Sequence, residues 1–427
     1  MAEAIQRKEI GKGVFFTKIT DSRYKLNRIG IDFITNLSEE TASVNAVVPR
    51  LLAKASADYP TLAALSNKLS SLYAAKVGGN AGKQGDSQYM ALSCTSIDDV
   101  YALEGEKLTD EVLDILLGCL FKPLAENSAF NEKMTALEKQ SLIDDIEAEI
   151  NDKISYARTK GYKLMCQGEP AAVSGLGCAE KAAEITAESA FAAYRKMLET
   201  CQVEIICVGC NDFESAEKKL TEAFAEINRG DIVACRSQIS KLKAEAVTEV
   251  EKMSVTQSKL VMGFKTSCTD YPALSVMSAI YGGCTTSKLF MNVREKLSLC
   301  YYCSSSFIRE KGVMMVNSGV ENENLEKARA EILAQFEDMK KGNFSDEDIS
   351  HAKLSLENDL KGVNDSLRAV ASWYFTGIYR NDVKTPEEAI SRMNAVTREQ
   401  IVKAAESVEL DSVYILTSLD EESEVEG

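Results

Sequence analysis

A chain of 427 residues is too long for one ordinary hydrophobic core and implies two large domains, or about three at ~150 residues each. Hydrophobic residues at 45% and charged residues at 27% give the balance of a globular protein, and 24 Gly with 6 Pro exclude collagen-like or low-complexity character. The 49 Lys and Arg against 65 Asp and Glu leave a formal charge of −16, which repels phosphate backbones and anionic lipid, so neither nucleic acid nor membrane is an expected partner.

The opening residues 1–10 carry charges where a secretory signal needs an unbroken apolar run. The longest uncharged stretch, 271–287, is broken by Pro272, Gly282 and Gly283 and is too short to span a bilayer. The 12 cysteines are too scattered for a disulfide framework, so reduced thiols and a cytoplasmic location are expected. The single histidine, His351, excludes from this chain any zinc site built on two or three imidazoles.

In chain order, the first candidate motif is Gly78-Gly79-Asn80-Ala81-Gly82-Lys83-Gln84-Gly85-Asp86. A phosphate loop needs Ser or Thr after its Gly-Lys pair, and here Gln84 follows. Between strand-like runs at 72–77 and 88–94, the segment is expected to be a hairpin connection. A helical face follows Phe130 at Leu142 and Ile146, and its carboxylates (Glu138, Asp144, Asp145, Glu147, Glu149) read as a solvated face rather than a metal site. Ile185-Thr186 opens a helix leading to the strand 203–208. That strand ends in Cys207-Val208-Gly209-Cys210, which has redox or half-zinc spacing but the setting of small hydrophobes at a strand end.

Residues 229–252 are polar and rich in Lys and Glu, as a linker would be. Beyond them, 281–305 reads as a Gly-Gly turn, a helix from about Ser287 to Lys296 and a strand from about Tyr301. Arg294 near the helix end and Tyr301 at the strand start could both enter a cleft and grip a carbonyl or developing oxyanion. They could equally be an Arg covering a helix end and a Tyr at a sheet rim. His351 lies in a helical stretch with no Ser or Cys motif beside it and reads as an ordinary helix residue. Thr397 with Gln400 marks a capping-box helix start leading to the strand 412–416, and 420–427 is an acidic, solvated tail.

The chain repeats. Phe130, Leu142 and Ile146 recur as Phe344, Leu356 and Leu360, each 214 residues on, and the closing helix and strand recur at about 209–211. The expected fold is α+β: two homologous domains, each a largely antiparallel sheet with helices packed on one face. The expected limits are 1–228 and 253–427, joined by the linker 229–252.

The segment from Gly282 resembles the second-domain signature of the insulinase/pitrilysin zinc peptidases, which include mitochondrial processing peptidase. It matches at Gly282, Gly283, Ser287, Leu289, Phe290, Arg294, Glu295, Lys296, Leu299, Tyr301 and Ser304, with Tyr59-Pro60 and Gly177…Glu180…Ile185-Thr186 in support. The stretch 292–302 looks especially like the bacterial YfmF-type members. Counting back from Tyr59-Pro60 puts the family's His-x-x-Glu-His at about Ala46-Val47-Val48-Pro49-Arg50, where no residue can bind zinc or activate water.

The resemblance places Glu138 on the helix of the family's third ligand, and Arg294 and Tyr301 on its substrate-binding and transition-state-stabilising pair. It implies a zinc-less subunit, inactive alone, that lends these two residues to a zinc-bearing partner acting on an extended peptide; a homodimer is the other assembly. The competing expectation is a structural or peptide-binding homologue with no catalytic role.

Overall fold

The computed structural model describes residues 5–419; the acidic tail lies outside them. In chain order the elements are β1 (Gln6–Gly11), β2 (Val14–Thr20), β3 (Leu26–Asn36), α1 (Glu39–Leu52), α2 (Leu62–Ser71), β4 (Lys76–Gln84), β5 (Ser87–Ile97) and α3 (Leu108–Phe121). A short hairpin, β6 (Ala125–Glu126) and β7 (Ala129–Phe130), precedes α4 (Glu132–Ala148), α5 (Lys153–Met165), α6 (Ala179–Ala183), α7 (Ala187–Thr200), β8 (Gln202–Gly209) and α8 (Glu214–Ala225). Then come β9 (Val247–Met253), β10 (Ser258–Lys265), α9 (Tyr271–Ser278), β11 (Cys300–Ile308), β12 (Val313–Val320) and α10 (Leu325–Lys340). The chain ends through α11 (Asp346–Gly362), α12 (Leu367–Tyr379), α13 (Pro386–Asn394), α14 (Arg398–Glu406) and β13 (Glu409–Ser418).

These elements form two compact units. The first holds the chain up to Glu147, Val173–Ser237 and Asn364–Val383; the second holds Ala148–Ala172, Gln238–Val363 and the chain from Lys384. Sheet order in the first is β1-β2-β8-β3-β5-β4, and in the second β9-β13-β10-β12-β11. Apart from the extra edge strand β1, the two orders correspond strand for strand. Each sheet contains one parallel pair, β2 with β8 and β13 with β9, among antiparallel neighbours. The architecture is the duplicated α+β fold that the repeat implies.

The 214-residue displacement is carried by the helices. Shifted by that amount, α4 coincides with α11 and α5 with α12, end for end. Most helices of each unit pack on one face of its sheet, where Ile29, Ile31, Phe33, Leu116 and Ile205 lie in the first core and Leu260, Phe264, Ile332 and Val413 in the second. The opposite face is covered by a single helix that comes, in sequence, from the other half: α12 in the first unit and α5 in the second. Glycines permit this close cover in the second unit, since a Cβ on Gly161 of α5 would lie 2.5 Å from Val261 Cγ1.

The capping box at Thr397 and Gln400 is present, and Thr186 caps α7 through Ser189 in the same way. Such caps are worth about 1 kcal/mol each. The glycine-rich segment differs from expectation. Gly78 to Gln84 form strand β4 itself, and the connection to β5 is only Gly85-Asp86, with Gly85 at φ 56°. Strand propensity would not choose these glycines; proximity does. A Cβ on Gly79 would sit 1.9 Å from the Pro49 carbonyl oxygen, so only glycine lets β4 lie against the last turn of α1. No helix among the described residues is long and apolar enough to cross a membrane.

Candidate functional site

Two places carry the residues singled out by sequence, one in each unit. In the first, α1 presents Ala46, Val47 and Val48 fully buried in the core, with Pro49 also buried. Arg50 Nη2 lies 2.7 Å from Asp145 Oδ2, and Lys54 Nζ lies 3.3 Å from Glu138 Oε1. Arg50 of α1 and Lys54, just beyond its end, thus face two carboxylates of α4. Zinc needs imidazole, thiolate or carboxylate donors converging on one point. Here the helix offers methyl groups and positive charge, and Glu138 is an ammonium's partner. The residues do not fit zinc, and no chemistry is derived through it. Among the described residues no three His, Cys, Asp or Glu side chains group as a metal site.

The second place is the corner between a π-helical segment, Leu289–Lys296, and strand β11. The wider winding shows in Leu297 N–H, which donates to the Asn292 carbonyl five residues back. Ser298 at φ 50° turns the chain into the strand. Arg294 stacks over the Phe290 ring, 4.5 Å from its centroid, and lies 3.5 Å from Glu295 Oε1. Tyr301 falls in a β-bulge: Cys300 pairs with Val320 and Tyr302 with Gly319, leaving Tyr301 as the extra residue. It is 63% exposed on the edge strand of the sheet, and the neighbouring Glu321 carboxylate, which accepts its hydroxyl, raises its pKa. The phenol therefore stays protonated, a donor at neutral pH.

The bulge also sets the surroundings of two thiols. Cys300 and Cys303 bracket Tyr301 at the same spacing as Cys207 and Cys210. In a flat strand, residues three apart face opposite sides, but the extra residue returns both thiols to the core side, where both are buried. A hydrogen bond from Cys303, aided by the Arg294 guanidinium, holds Cys300 down to about 7 against the effect of burial; the same bond, with burial, pushes Cys303 well up. The spacing alone was the available signal. The earlier pair is held as protonated thiols: burial pushes Cys207 well above the ordinary thiol range and Cys210 up to about 11. All 12 cysteines are free thiols. His351 is an exposed residue of α11 with Nε2 3.8 Å from Glu347 Oε1.

Comparison with known proteins agrees with this picture. Residues 184–356 match the family described as "Peptidase M16 inactive domain". The chain is 28% identical over 402 residues, 93% of its length and 94% of the relative's, to "Probable inactive metalloprotease YmfF" of Bacillus subtilis. A crystal structure of a conserved protein from Enterococcus faecalis superposes with a TM-score of 0.89 at 29% identity, covering 98% of this chain and 99% of that one. A peptidase M16 inactive domain from Pseudomonas fluorescens shares the fold, with a TM-score of 0.78 at 18% identity over 97% of this chain and 98% of that one. None of these three relatives carries the YfmF designation suggested by the motif. With no metal-ligating cluster among its described residues, the chain is a homologue of the inactive-type M16, or insulinase-family, peptidase domain.

Proposed function

We propose that the chain holds extended peptide without cleaving it. The observation that carries this reading is the state of β4 beside α1. It is the edge strand of its sheet, and among the described residues the backbone of Lys76 to Ala81 bonds only to β5. Natural edges are usually blunted by bulges, proline or a covering segment, because a bare row of N–H and C=O groups recruits another strand. Here small residues (Gly78, Gly79, Ala81) leave that row approachable, and a peptide would add to it by main-chain hydrogen bonds. Fluorescence anisotropy with a labelled, unstructured peptide tests this. The full chain should bind it, and the same peptide with alternate backbone nitrogens methylated should bind at least about tenfold more weakly. Equal binding of the two would overturn the reading.

The bulge favours a second reading. An exposed, protonated phenol re-aimed by an extra residue, next to an arginine on a π-helical turn, is the kind of pair that could serve a zinc-bearing M16 partner chain as oxyanion donor and substrate clamp. Zinc and the general base would then belong to that partner. The two readings share the peptide and differ in whether Tyr301 touches a reacting carbonyl.

A further inference from the structure

Strand β3 carries Arg28, Gly30 and Asp32 on one face, because alternate residues of a strand share a side. With Tyr89 of β5 and with Arg368 and Phe375 of α12, they line a cavity of about 390 Å³, all of it within the first unit. Its floor is the missing side chain of Gly30. A Cβ there would lie 3.8 Å from Arg28 Nη2 and 3.8 Å from Asp32 Oδ2, so a cation and an anion flank an empty step without meeting. Among the described residues the side chains of Asp32 and Arg368 make neither ion pair nor hydrogen bond, and Arg28 Nε is buried with no hydrogen-bond partner. Arg28 and Asp32 are half-buried and Arg368 is exposed; the partly enclosed pair, left without partners, asks for a ligand, ion or water.

The duplicated unit shows the alternative. The corresponding strand β10 also has a glycine, Gly263, and there the space is filled: a Cβ would lie 2.4 Å from Cγ of Met165, from α5. In the second unit the covering helix closes the step with a thioether; in the first it leaves the step open and adds a guanidinium. Two guanidiniums against one carboxylate make the cavity locally positive within a chain of net charge −16. Tyr89 lies within the influence of both Asp32 and Arg368, and its ring meets Phe375 edge-on at 5.6 Å, giving an apolar wall.

We propose that this cavity binds an acidic α-amino acid, one carboxylate on Arg28, the other on Arg368, and the ammonium on Asp32. Such a ligand satisfies each unpaired group in one molecule. A plain dicarboxylate leaves Asp32 facing like charge, and an amide side chain leaves one guanidinium unpaired. The volume lies within the range of small-molecule sites.

Isothermal titration of the full chain with L-glutamate and L-aspartate is the test, with glutarate and L-glutamine as probes lacking one group each. Saturable one-to-one binding is expected for at least one of the two amino acids. Glutarate and L-glutamine should bind at least about tenfold more weakly, as should the amino acid to Arg368→Ala, an exposed position whose loss leaves the fold intact by circular dichroism, and to Asp32→Asn. No saturable heat with either amino acid up to about 10 mM, glutarate binding as tightly as L-glutamate, or an unchanged affinity in Arg368→Ala would overturn the proposal. Gly78, Gly79 and Asn80 of β4 also line the cavity, and the two proposals stay distinguishable because one is read on a methylated peptide and the other on the heat of a free amino acid.

Discussion

Tyr301 owes its position to one extra residue in a strand, and Arg294 owes its own to one widened helical turn. Both features cost regular hydrogen bonding, and both place a polar group on the surface beside a sheet edge. If the second reading holds, Tyr301→Phe in a reconstituted pair with a zinc-bearing M16 chain lowers turnover by about 10²–10³ while peptide affinity is unchanged. Turnover within a few-fold of wild type would remove Tyr301 from the chemistry.

Asp32 supports a separate prediction. Surrounded by protein yet keeping a window on the cavity, it is pushed up to about 7 by desolvation, eased by Arg28 and reinforced by Glu204, whose own charge is met by Arg7. A carboxyl raised in the folded state stabilises fully below its unfolded pKa of ~3.9, and that contribution is lost as pH rises through about 7. From pH 5.5 to 8.5 the wild type should lose roughly 2 kcal/mol through this group, and Asp32→Asn should lose less by that amount in urea unfolding. Identical pH profiles would contradict the assignment. None of this was legible in the sequence: Asp32 and Arg368 stand far apart in the chain, and only the cover of β3 by α12 makes them neighbours.

Among elements, the long helices and their caps were legible because periodicity and capping are local. The 214-residue displacement of Phe130, Leu142 and Ile146 onto Phe344, Leu356 and Leu360 located one helix pair, α4 and α11, whose ends coincide. Strand β4 was not legible, because its glycines are there for a contact with α1 that no local pattern reveals. Two neighbouring substitutions separate these causes. Gly79→Ala drives a Cβ into the Pro49 carbonyl and should cost more than about 2 kcal/mol, whereas Gly78→Ala, with nothing within 4 Å of its Cβ, should stay within about 0.5 kcal/mol. Chemical denaturation of the pair measures the difference, and equal stabilities would mean that β4 does not press on α1.

At the scale of the whole chain, duplication sets up two versions of one sheet, and the differences between them carry the specific features. The first unit has buried alkyl groups on α1 and two cations paired to α4; where its back face could be filled, it keeps a charged cavity. The second unit fills its back face and keeps the Arg294 and Tyr301 corner. The family signature around Gly282 to Ser304 was readable from the sequence because it is one contiguous run. That this chain has no site built on two or more imidazoles was readable because it has a single histidine.

As proposed, this chain retains peptide and performs no hydrolysis of its own. Native mass spectrometry of the purified chain, incubated with zinc and an unstructured peptide, measures it directly. The predicted result is a one-to-one complex with peptide of intact mass and no zinc retained on the chain. Shortened peptides, or one zinc per chain, would contradict it.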